Sequence, residues 1–155
     1  MTDTFKNSKL FAMRRDEQLA MYEYYARANG LQGKAMLILM WIYYNPEGIT
    51  QTVICKKTYS TKQVVSAAIK SFIKKGYIFF EDDSRDKRIK RIKLTPEGHK
   101  FSSALLDSLE SAEADAMKQL TPEQQSQFID WLSILNKRLK QNIEKLTFKG
   151  ERSKP

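Results

Sequence analysis

The feature that most restricts the fold is a change of hydrophobic periodicity at Gly76. Before this glycine, apolar residues recur at steps of three and four, which is typical of an amphipathic helix. After it, the chain is first aromatic and β-branched, and apolar and basic residues then alternate from Arg91 to Leu94, which is typical of extended, half-buried strands. A helix followed directly by extended chain favours a mainly α fold with a small sheet. The residues predicted to face the core from this helix are Val65, Ile69, Phe72 and Ile73.

A shorter helix is predicted just before this one. Thr50 can cap it, because a threonine hydroxyl accepts a hydrogen bond from a free amide of the first turn. The polar link 58–61 then separates the two helices. The second helix has two candidate caps, Ser60 at capping-box spacing from Gln63, and Thr61. Two helices joined by such a short link predict a helix-turn-helix.

A β-hairpin with a charged tip is predicted after Gly76. The first strand is expected over Tyr77–Phe80, the polar turn over 82–86 and the second strand over Arg88–Leu94. In the second strand, Ile92 and Leu94 alternate with Arg91 and Lys93, so one face is expected to be buried and the other basic.

Helices are also predicted on both sides of this region. One is expected from Phe5 to Asn29, and a heavily apolar, buried one from Leu31 to Tyr44. The turn Asn45-Pro46-Glu47-Gly48 then precedes the helix-turn-helix. A further helix is expected from Pro96 to about Leu120, and the last one begins at Thr121, where proline again follows a capping threonine.

The net charge of +9 is concentrated in one part of the chain. Residues 49–100 hold thirteen basic and five acidic residues, residues 1–48 hold six and five, and residues 101–155 hold eight of each. A basic segment between nearly neutral ones is typical of a module that binds phosphate. A merely solvated basic surface is the alternative that charge alone leaves open.

The exposed face of the second helix suits the major groove of DNA. Its glutamine and lysines can bond base edges, and its small residues permit close approach. In the hairpin, an arginine at the tip can enter the narrow minor groove. Asp86 is expected to hold Arg88 in a charge-assisted pair, so that the guanidinium is oriented before it meets DNA.

The sequence excludes several other classes. The longest apolar stretch, Ala35–Tyr44, is about half the roughly 20 residues that a spanning helix needs. The N-terminus is polar, without a secretory signal, so a cytoplasmic protein is expected. The single cysteine, Cys55, excludes an internal disulfide and a multi-cysteine zinc site. No cofactor or metal is expected.

The β-hairpin, called the wing below, and the segments beside it resemble the multiple-antibiotic-resistance regulator (MarR) family of bacterial repressors and activators. Asp86-Lys87-Arg88, followed by Leu94-Thr95-Pro96-Glu97-Gly98, is similar to the family's Asp-Arg-Arg and Leu-Thr-x-x-Gly at the same spacing. Lys87 replaces the usual arginine, and Thr58 and Ser60 replace usual apolar residues. The resemblance implies a winged helix-turn-helix, over 31–95, that binds a near-palindromic operator as a homodimer.

From these patterns a sequence-specific regulator of double-stranded DNA is predicted, and the family resemblance implies a repressor that a small ligand can relieve. The residues expected to bind DNA are Thr50, Gln51, Thr61, Lys62, Gln63, Ser66, Ala67, Lys70, Arg85, Asp86, Lys87, Arg88 and Arg91.

The flanking helices, over 1–30 and 96–147, are expected to form the dimer. A long apolar stripe on the last helix needs a partner, and the alternative is that both helices pack on their own domain. Residues 148–155 are expected to form a frayed tail. The residues predicted at the dimer interface are Leu10, Met13, Phe128, Leu132, Leu135, Leu139 and Ile143.

Some residues suggest further chemistry. Cys55 is either a redox sensor or an inert core thiol, and the second is favoured because its position suits a small buried residue. His99 has no neighbouring ligand at metal-binding spacing. A pocket for a small aromatic effector is a hypothesis, although aromatic residues on buried helices usually belong to the core. The aromatic residues concerned are Tyr22, Tyr25, Trp41, Tyr43 and Tyr44.

Two other functions stay open at this stage. A winged helix can bind a protein through its wing, which predicts weak and sequence-indifferent DNA binding. A nucleic-acid enzyme is disfavoured, because Asp82, Asp83 and Asp86 lie in a hairpin turn and no pair of catalytic carboxylates or cysteine-histidine set is evident. No enzyme activity is therefore expected.

Overall fold

The computed structural model describes residues 2–151, and the backbone alone for 147–151. Within this range the fold is mainly helical, with one two-stranded antiparallel sheet, as predicted. The elements in chain order are α1 (Asp3–Ala28), α2 (Gly33–Tyr43), α3 (Gln51–Thr58), α4 (Lys62–Lys74), β1 (Ile78–Asp82), β2 (Lys90–Leu94), α5 (Pro96–Met117) and α6 (Pro122–Glu151).

The chain divides into two compact units, Met1–Leu109 and Glu110–Pro155. The first contains the helix-turn-helix and the hairpin, and therefore the whole of the predicted lobe 31–95. The second contains α6, which continues to Glu151. Of the predicted tail, residues 152–155 lie outside the described range, so the tail stays a prediction.

Side-chain caps set the start of both helices of the helix-turn-helix. The Thr50 hydroxyl accepts from the amide of Val53, 3.3 Å away, at the start of α3. The Thr61 hydroxyl accepts from the amide of Val64 at the same distance, at the start of α4. Thr61 rather than Ser60 is therefore the cap of α4.

The link between the two helices is held by hydroxyl groups. Thr58 is buried, and its hydroxyl donates to the Ile54 carbonyl over 2.8 Å and lies 2.8 Å from the Ser60 hydroxyl. Tyr59 adopts the left-handed conformation, with φ of 50°, and ends α3. Polar residues are thus tolerated at these turn positions because the buried hydroxyl has hydrogen-bond partners.

The core lies between α2, α4 and the ends of the neighbouring elements. Val65, Ile69 and Phe72 are buried on α4, as predicted, but Ile73 is 43% exposed and its predicted core position is wrong. Ile73 lies about 100° around the helix from Phe72, which carries it past the buried stripe. From α2 the core receives Met36, Ile38, Leu39 and Ile42.

The hairpin is anchored to the segment before α3. Strands β1 and β2 pair antiparallel, with Ile78 opposite Leu94 and Phe80 opposite Ile92. Ile92 also pairs with Ile49 on the other side, through backbone hydrogen bonds of 3.1 and 2.8 Å. Strand β2 is therefore held along both edges next to the buried Ile92 side chain.

The Leu-Thr-x-x-Gly motif joins the hairpin to α5. The Thr95 hydroxyl donates to the Gly76 carbonyl over 2.6 Å and accepts from the Gly98 amide at 3.0 Å. A Cβ on Gly98 would lie 1.8 Å from the Tyr77 carbonyl oxygen, so a side chain cannot be accommodated there without moving the backbone. The motif thus ties α5 to the point where α4 ends and β1 begins.

Candidate nucleic-acid interface

The outer face of α4 presents the polar and basic residues that the sequence places there. Lys62, Gln63, Ala67 and Lys70 are exposed, and Ser66 is half-buried. These five residues line one open concavity on the surface of the helix. The structure thus brings together the predicted α4 contacts on one side, while Val65, Ile69 and Phe72 hold the opposite side in the core.

Two of the predicted DNA contacts bind each other. The Gln51 side-chain amide donates to the Ser66 hydroxyl over 2.5 Å, which links α3 to α4. Ser66 is therefore held in one orientation, and Gln51 keeps its amide oxygen for another partner. The pair is a preorganised polar group beside the exposed face of α4.

Thr50 and Thr61 combine two roles in the predicted interface. Each hydroxyl oxygen accepts the capping hydrogen bond described above, so its proton is free to be donated elsewhere. Thr61 is exposed, whereas Thr50 is half-buried. A hydroxyl at a helix N-terminus, where the helix dipole is positive, is suited to a phosphate oxygen.

The wing tip, residues 83–89, carries three exposed cations: Arg85, Lys87 and Arg88. The predicted Asp86–Arg88 pair is confirmed as a bidentate one, with Arg88 Nε 3.0 Å and Nη2 2.9 Å from the two carboxylate oxygens of Asp86. The Arg88 amide also donates to Asp86 over 3.0 Å. These hydrogen bonds, from the side chain first, lower the pKa of Asp86.

Arg88 remains open to a partner despite this pair. Its side chain is 90% exposed, and that of Asp86 is 35% exposed. The Asp86 side chain raises the pKa of Arg88, so the guanidinium stays charged. An oriented, exposed arginine loses less side-chain entropy on binding than a free one.

Arg91 differs from the tip cations. Its Nε donates to Asp83 over 2.5 Å and its Nη1 donates to the Gly48 carbonyl over 3.1 Å. Sequence reasoning placed Arg91 among the DNA contacts and gave Asp83 and Gly48 no role in the interface. One sequence signal could have indicated a role for Asp83: two adjacent aspartates, Asp82 and Asp83, lie opposite the basic strand.

The predicted dimer residues lie on helix surfaces in the single chain. On α1, Leu10 and Met13 are exposed; on α6, Phe128, Leu135, Leu139 and Ile143 are exposed, while Leu132 is half-buried. Sequence reasoning followed one stripe of α6 and missed further exposed apolar residues on either side of it. These residues are Ile129, Trp131 and Ile134.

The remaining sequence candidates lie in ordinary packing positions. Cys55 is half-buried and packs against the core of the first unit. The exposed His99 has the Tyr43 ring at 5.4 Å between centroids. Among the described residues, no group of three or more histidine, cysteine or acidic residues is placed to hold a metal ion. None of the helices in that range is both long and apolar enough to cross a bilayer.

The aromatic residues proposed for an effector pocket are engaged in the fold. The Tyr25 hydroxyl donates to the Leu105 carbonyl and the Tyr43 hydroxyl to Asp107, both over 2.9 Å. Lys57 lies 5.1 Å from the centre of the Trp41 ring. A cavity between α2 and α4 has a volume of about 390 Å³, but none of the five predicted aromatic residues lines it.

Comparison with known proteins identifies the family that this interface resembles. The model of the MarR family matches residues 29–89, which run from the end of α1 to the wing tip. No curated protein matches the chain significantly. The resemblance to the MarR family that the wing motif indicates is confirmed.

Solved structures of MarR family regulators share the fold. The Staphylococcus aureus MepR–DNA complex is 24% identical, with a TM-score of 0.75, over 89% of this chain and 99% of that one. MepR in its DNA-binding conformation is 25% identical, with a TM-score of 0.73, over 86% and 98%. A MarR family regulator from Neisseria meningitidis is 18% identical, with a TM-score of 0.74, over 88% and 96%.

Proposed function

We propose that this chain, whose residues 29–89 match the MarR family and whose fold is that of MarR family regulators, is a sequence-specific DNA-binding transcription regulator. The observation that carries the proposal is the Asp86–Arg88 pair at the wing tip. An arginine side chain that is 90% exposed, yet oriented by two hydrogen bonds to one carboxylate, is a preformed group for a narrow, electronegative groove. Lys62, Gln63 and Lys70 on α4 supply the matching face for a major groove.

The regulator is proposed to act as a homodimer on a near-palindromic operator. A protein with two-fold symmetry reads two half-sites that lie about 34 to 36 Å apart. The exposed apolar residues of α1 and α6 support a second copy as the partner. Repression, relief by a small ligand, a cytoplasmic location and the lack of enzyme activity are parts of the same proposal.

The decisive experiment begins with selection of duplexes from a randomised pool. The selected and a scrambled duplex are then titrated by fluorescence anisotropy at several salt concentrations. Specific regulators bind their sites at least about a thousandfold more tightly than other DNA. Equal, weak and purely salt-driven binding to both duplexes would refute sequence-specific regulation and favour a wing that binds protein.

Arg88→Ala is the first variant to compare with the wild type. We expect weaker binding to the selected duplex and a salt slope reduced by about 0.9, because one cation fewer displaces counterions from the DNA. Arg14→Ala is the matched control, because Arg14 is also an exposed arginine paired with a carboxylate, at 2.9 Å from Glu17, and lies outside the wing and α4. It is expected to leave both quantities unchanged.

Gln63→Ala tests the role of α4 separately. Each lost base contact costs about 1–3 kcal/mol of discrimination, so we expect binding to the selected duplex to approach that to its single-base variants. Binding to the scrambled duplex is expected to change little. A uniform loss on all duplexes for Gln63→Ala and Arg88→Ala would contradict this division of roles.

Nuclease activity is the enzyme alternative that can be measured directly. Incubation of a labelled duplex with the protein and Mg²⁺ or Mn²⁺ is expected to leave the strands intact. Cleavage that follows the protein through purification would contradict the proposal.

A further inference from the structure

Arg91 is the wing cation whose guanidinium is occupied within the protein at two points. It bridges the Asp83 carboxylate, 2.5 Å away, and the Gly48 carbonyl oxygen, 3.1 Å away. Its side chain is 39% exposed, compared with 90% for Arg88. Arg91 therefore joins the wing to the turn that precedes α3.

Asp83 connects this bridge to the wing tip. One of its carboxylate oxygens receives Arg91, and the other accepts the amides of Arg85 and Asp86 over 2.9 and 3.2 Å. Asp83 is only 8% exposed. The Arg85 amide first, then the Arg91 side chain, lowers the pKa of Asp83. The Asp83 carboxylate thus bonds the backbone of the wing tip on one oxygen and Arg91 on the other.

The turn before α3 is shaped to receive Arg91. Gly48 has a φ of +96°, and a Cβ added there would lie 2.9 Å from the Cβ of Arg91 and 3.3 Å from the Cε of Lys93. Only glycine combines that backbone conformation with so close an approach. The adjacent Ile49 is bonded to Ile92 in β2, so the contact sits beside the only described backbone link between this turn and the hairpin.

We propose that Arg91 is a positioning residue, which fixes the direction of the wing tip relative to α3 and α4 and makes no contact with DNA. This inference rests on the proposed function and replaces the sequence-based role of Arg91 as a DNA contact. If Arg91 turned towards a phosphate, Asp83 would lose its cationic partner in a nearly buried site, which is costly. The corresponding cost is smaller for Arg88, because water can solvate the carboxylate of its partner Asp86, which is partly exposed.

The first test needs no DNA. Hydrogen exchange of the Arg85 and Asp86 amides, measured by NMR on the full-length protein, reports whether Asp83 still holds the tip. We expect Arg91→Ala to speed this exchange by about tenfold or more, since loss of a hydrogen bond to a charged group weakens local structure by that order. Lys90→Ala is the matched control: Lys90 pairs with Asp82 on the same hairpin but does not touch Gly48, and its loss should leave the exchange unchanged.

The second test separates positioning from contact. A lysine can replace an arginine as a phosphate contact, but it cannot bridge Asp83 and Gly48 with two separate nitrogens. We therefore expect Arg91→Lys to weaken binding to the selected duplex about as much as Arg91→Ala does, roughly tenfold, with the salt slope unchanged in both. Arg88→Ala, by contrast, is expected to lower the slope.

Two further variants act on the partners of Arg91. Asp83→Asn keeps an oxygen for the two tip amides but removes the charge that holds Arg91, and Gly48→Ala displaces Arg91 by steric contact. Each is expected to reproduce the loss seen with Arg91→Ala, and Asp83→Asn combined with Arg91→Ala is expected to cost no more than either change alone.

Two outcomes would overturn the inference. One is unchanged exchange at the Arg85 and Asp86 amides in Arg91→Ala. The other is a salt slope that falls by about 0.9 in Arg91→Ala while Arg91→Lys retains wild-type affinity, which is the behaviour of a phosphate contact. A wild-type protein that binds no duplex would instead refute the proposed function, and amide exchange alone would then decide the role of Arg91.

Discussion

Helices α4 and α6 both repeat apolar residues at helical spacing, but those residues have different surroundings. On α4, Val65, Ile69 and Phe72 are buried within a single chain. On α6, none of the described side chains, 122–146, is buried, and Trp131 and Ile134 are 64% and 67% exposed. The same pattern therefore corresponds to an internal core in one helix and to an exposed apolar surface in the other.

The two helices also carry their polar residues differently. The exposed face of α4 is basic and small, and it is continuous with a concavity that can receive another surface. On α6 the exposed apolar residues form a broad stripe, and charged and polar residues such as Asp130, Lys137 and Glu144 lie on the opposite side. A periodic pattern predicts the helix and its amphipathic character, but not whether its partner belongs to the same chain. The following variants test this difference.

Phe72→Ala is expected to have the largest effect. Phe72 is fully buried, so its truncation should lower the free energy of unfolding by about 3–5 kcal/mol. Because the contact is internal, this loss should not depend on protein concentration. Urea unfolding at two protein concentrations checks both statements. A loss below about 1 kcal/mol would contradict the assignment of Phe72 to the core.

Leu135→Asp tests whether the exposed apolar stripe of α6 is a dimer interface. A charge placed in an apolar dimer interface is expected to cost about 3 kcal/mol or more, which weakens dimerisation by at least about a hundredfold. Sedimentation velocity over a dilution series measures this. Ser126→Asp, which adds the same charge at an exposed position about 180° around α6 from Leu135, is the control and should leave the dimer intact. Equal behaviour of the two variants would mean that this stripe is not the interface.

Helix caps give a smaller and more local comparison. Thr61 caps α4, and Thr121 forms a reciprocal capping box with Gln124 at the start of α6, with bonds of 3.2 and 2.9 Å. Replacing either threonine with alanine is expected to lower stability by about 1 kcal/mol. Thr61→Ala should also weaken DNA binding, whereas Thr121→Ala should not. Thermal unfolding together with anisotropy separates the two effects, and a DNA-binding loss in both variants would contradict the separation.

The smallest expected effect is the response to acid. The pKa values of Asp83 and Asp86 are lowered in the folded protein. The charged carboxylates therefore stabilise the fold in full above the ordinary aspartate pKa, and this stabilisation is lost as pH falls through the lowered pKa values. The wing tip should therefore stay ordered down to pH values below that ordinary pKa. Carboxyl carbon shifts of the two aspartates, followed by NMR, measure this. A midpoint at or above the ordinary aspartate value would contradict it.

Local sequence signals predicted most of the fold. Thr50, the proline after Thr95 and the glycine at position 76 marked the ends of elements, because each residue type satisfies a local backbone requirement. Sequence alone could not decide whether Ser60 or Thr61 caps α4, since this depends on the residue at which the backbone becomes helical. Helix α1 begins at Asp3, two residues before the predicted start.

Contacts between distant segments were the part that the sequence could not supply. The outward position of Ile73 reflects how far the core extends around α4, which no local pattern contains. The bridge from Arg91 to Gly48 joins residues far apart in the chain, and alternation in β2 showed only that Arg91 faces away from Ile92. In the candidate site, residue types, faces and the local Asp86–Arg88 pair were therefore predictable, but the distant partners of Arg91 were not.

The hydrogen bond between Gln51 and Ser66 also bears on how such a protein could acquire a new target sequence. Because one side chain orients the other, a change at either position alters the chemistry that both offer. A laboratory library that varies Ser66 together with the exposed residues of α4 but keeps Gln51 would leave the Gln51 amide without its hydroxyl partner in many of the variants. Engineering of altered recognition is therefore best begun with positions 51 and 66 randomised together.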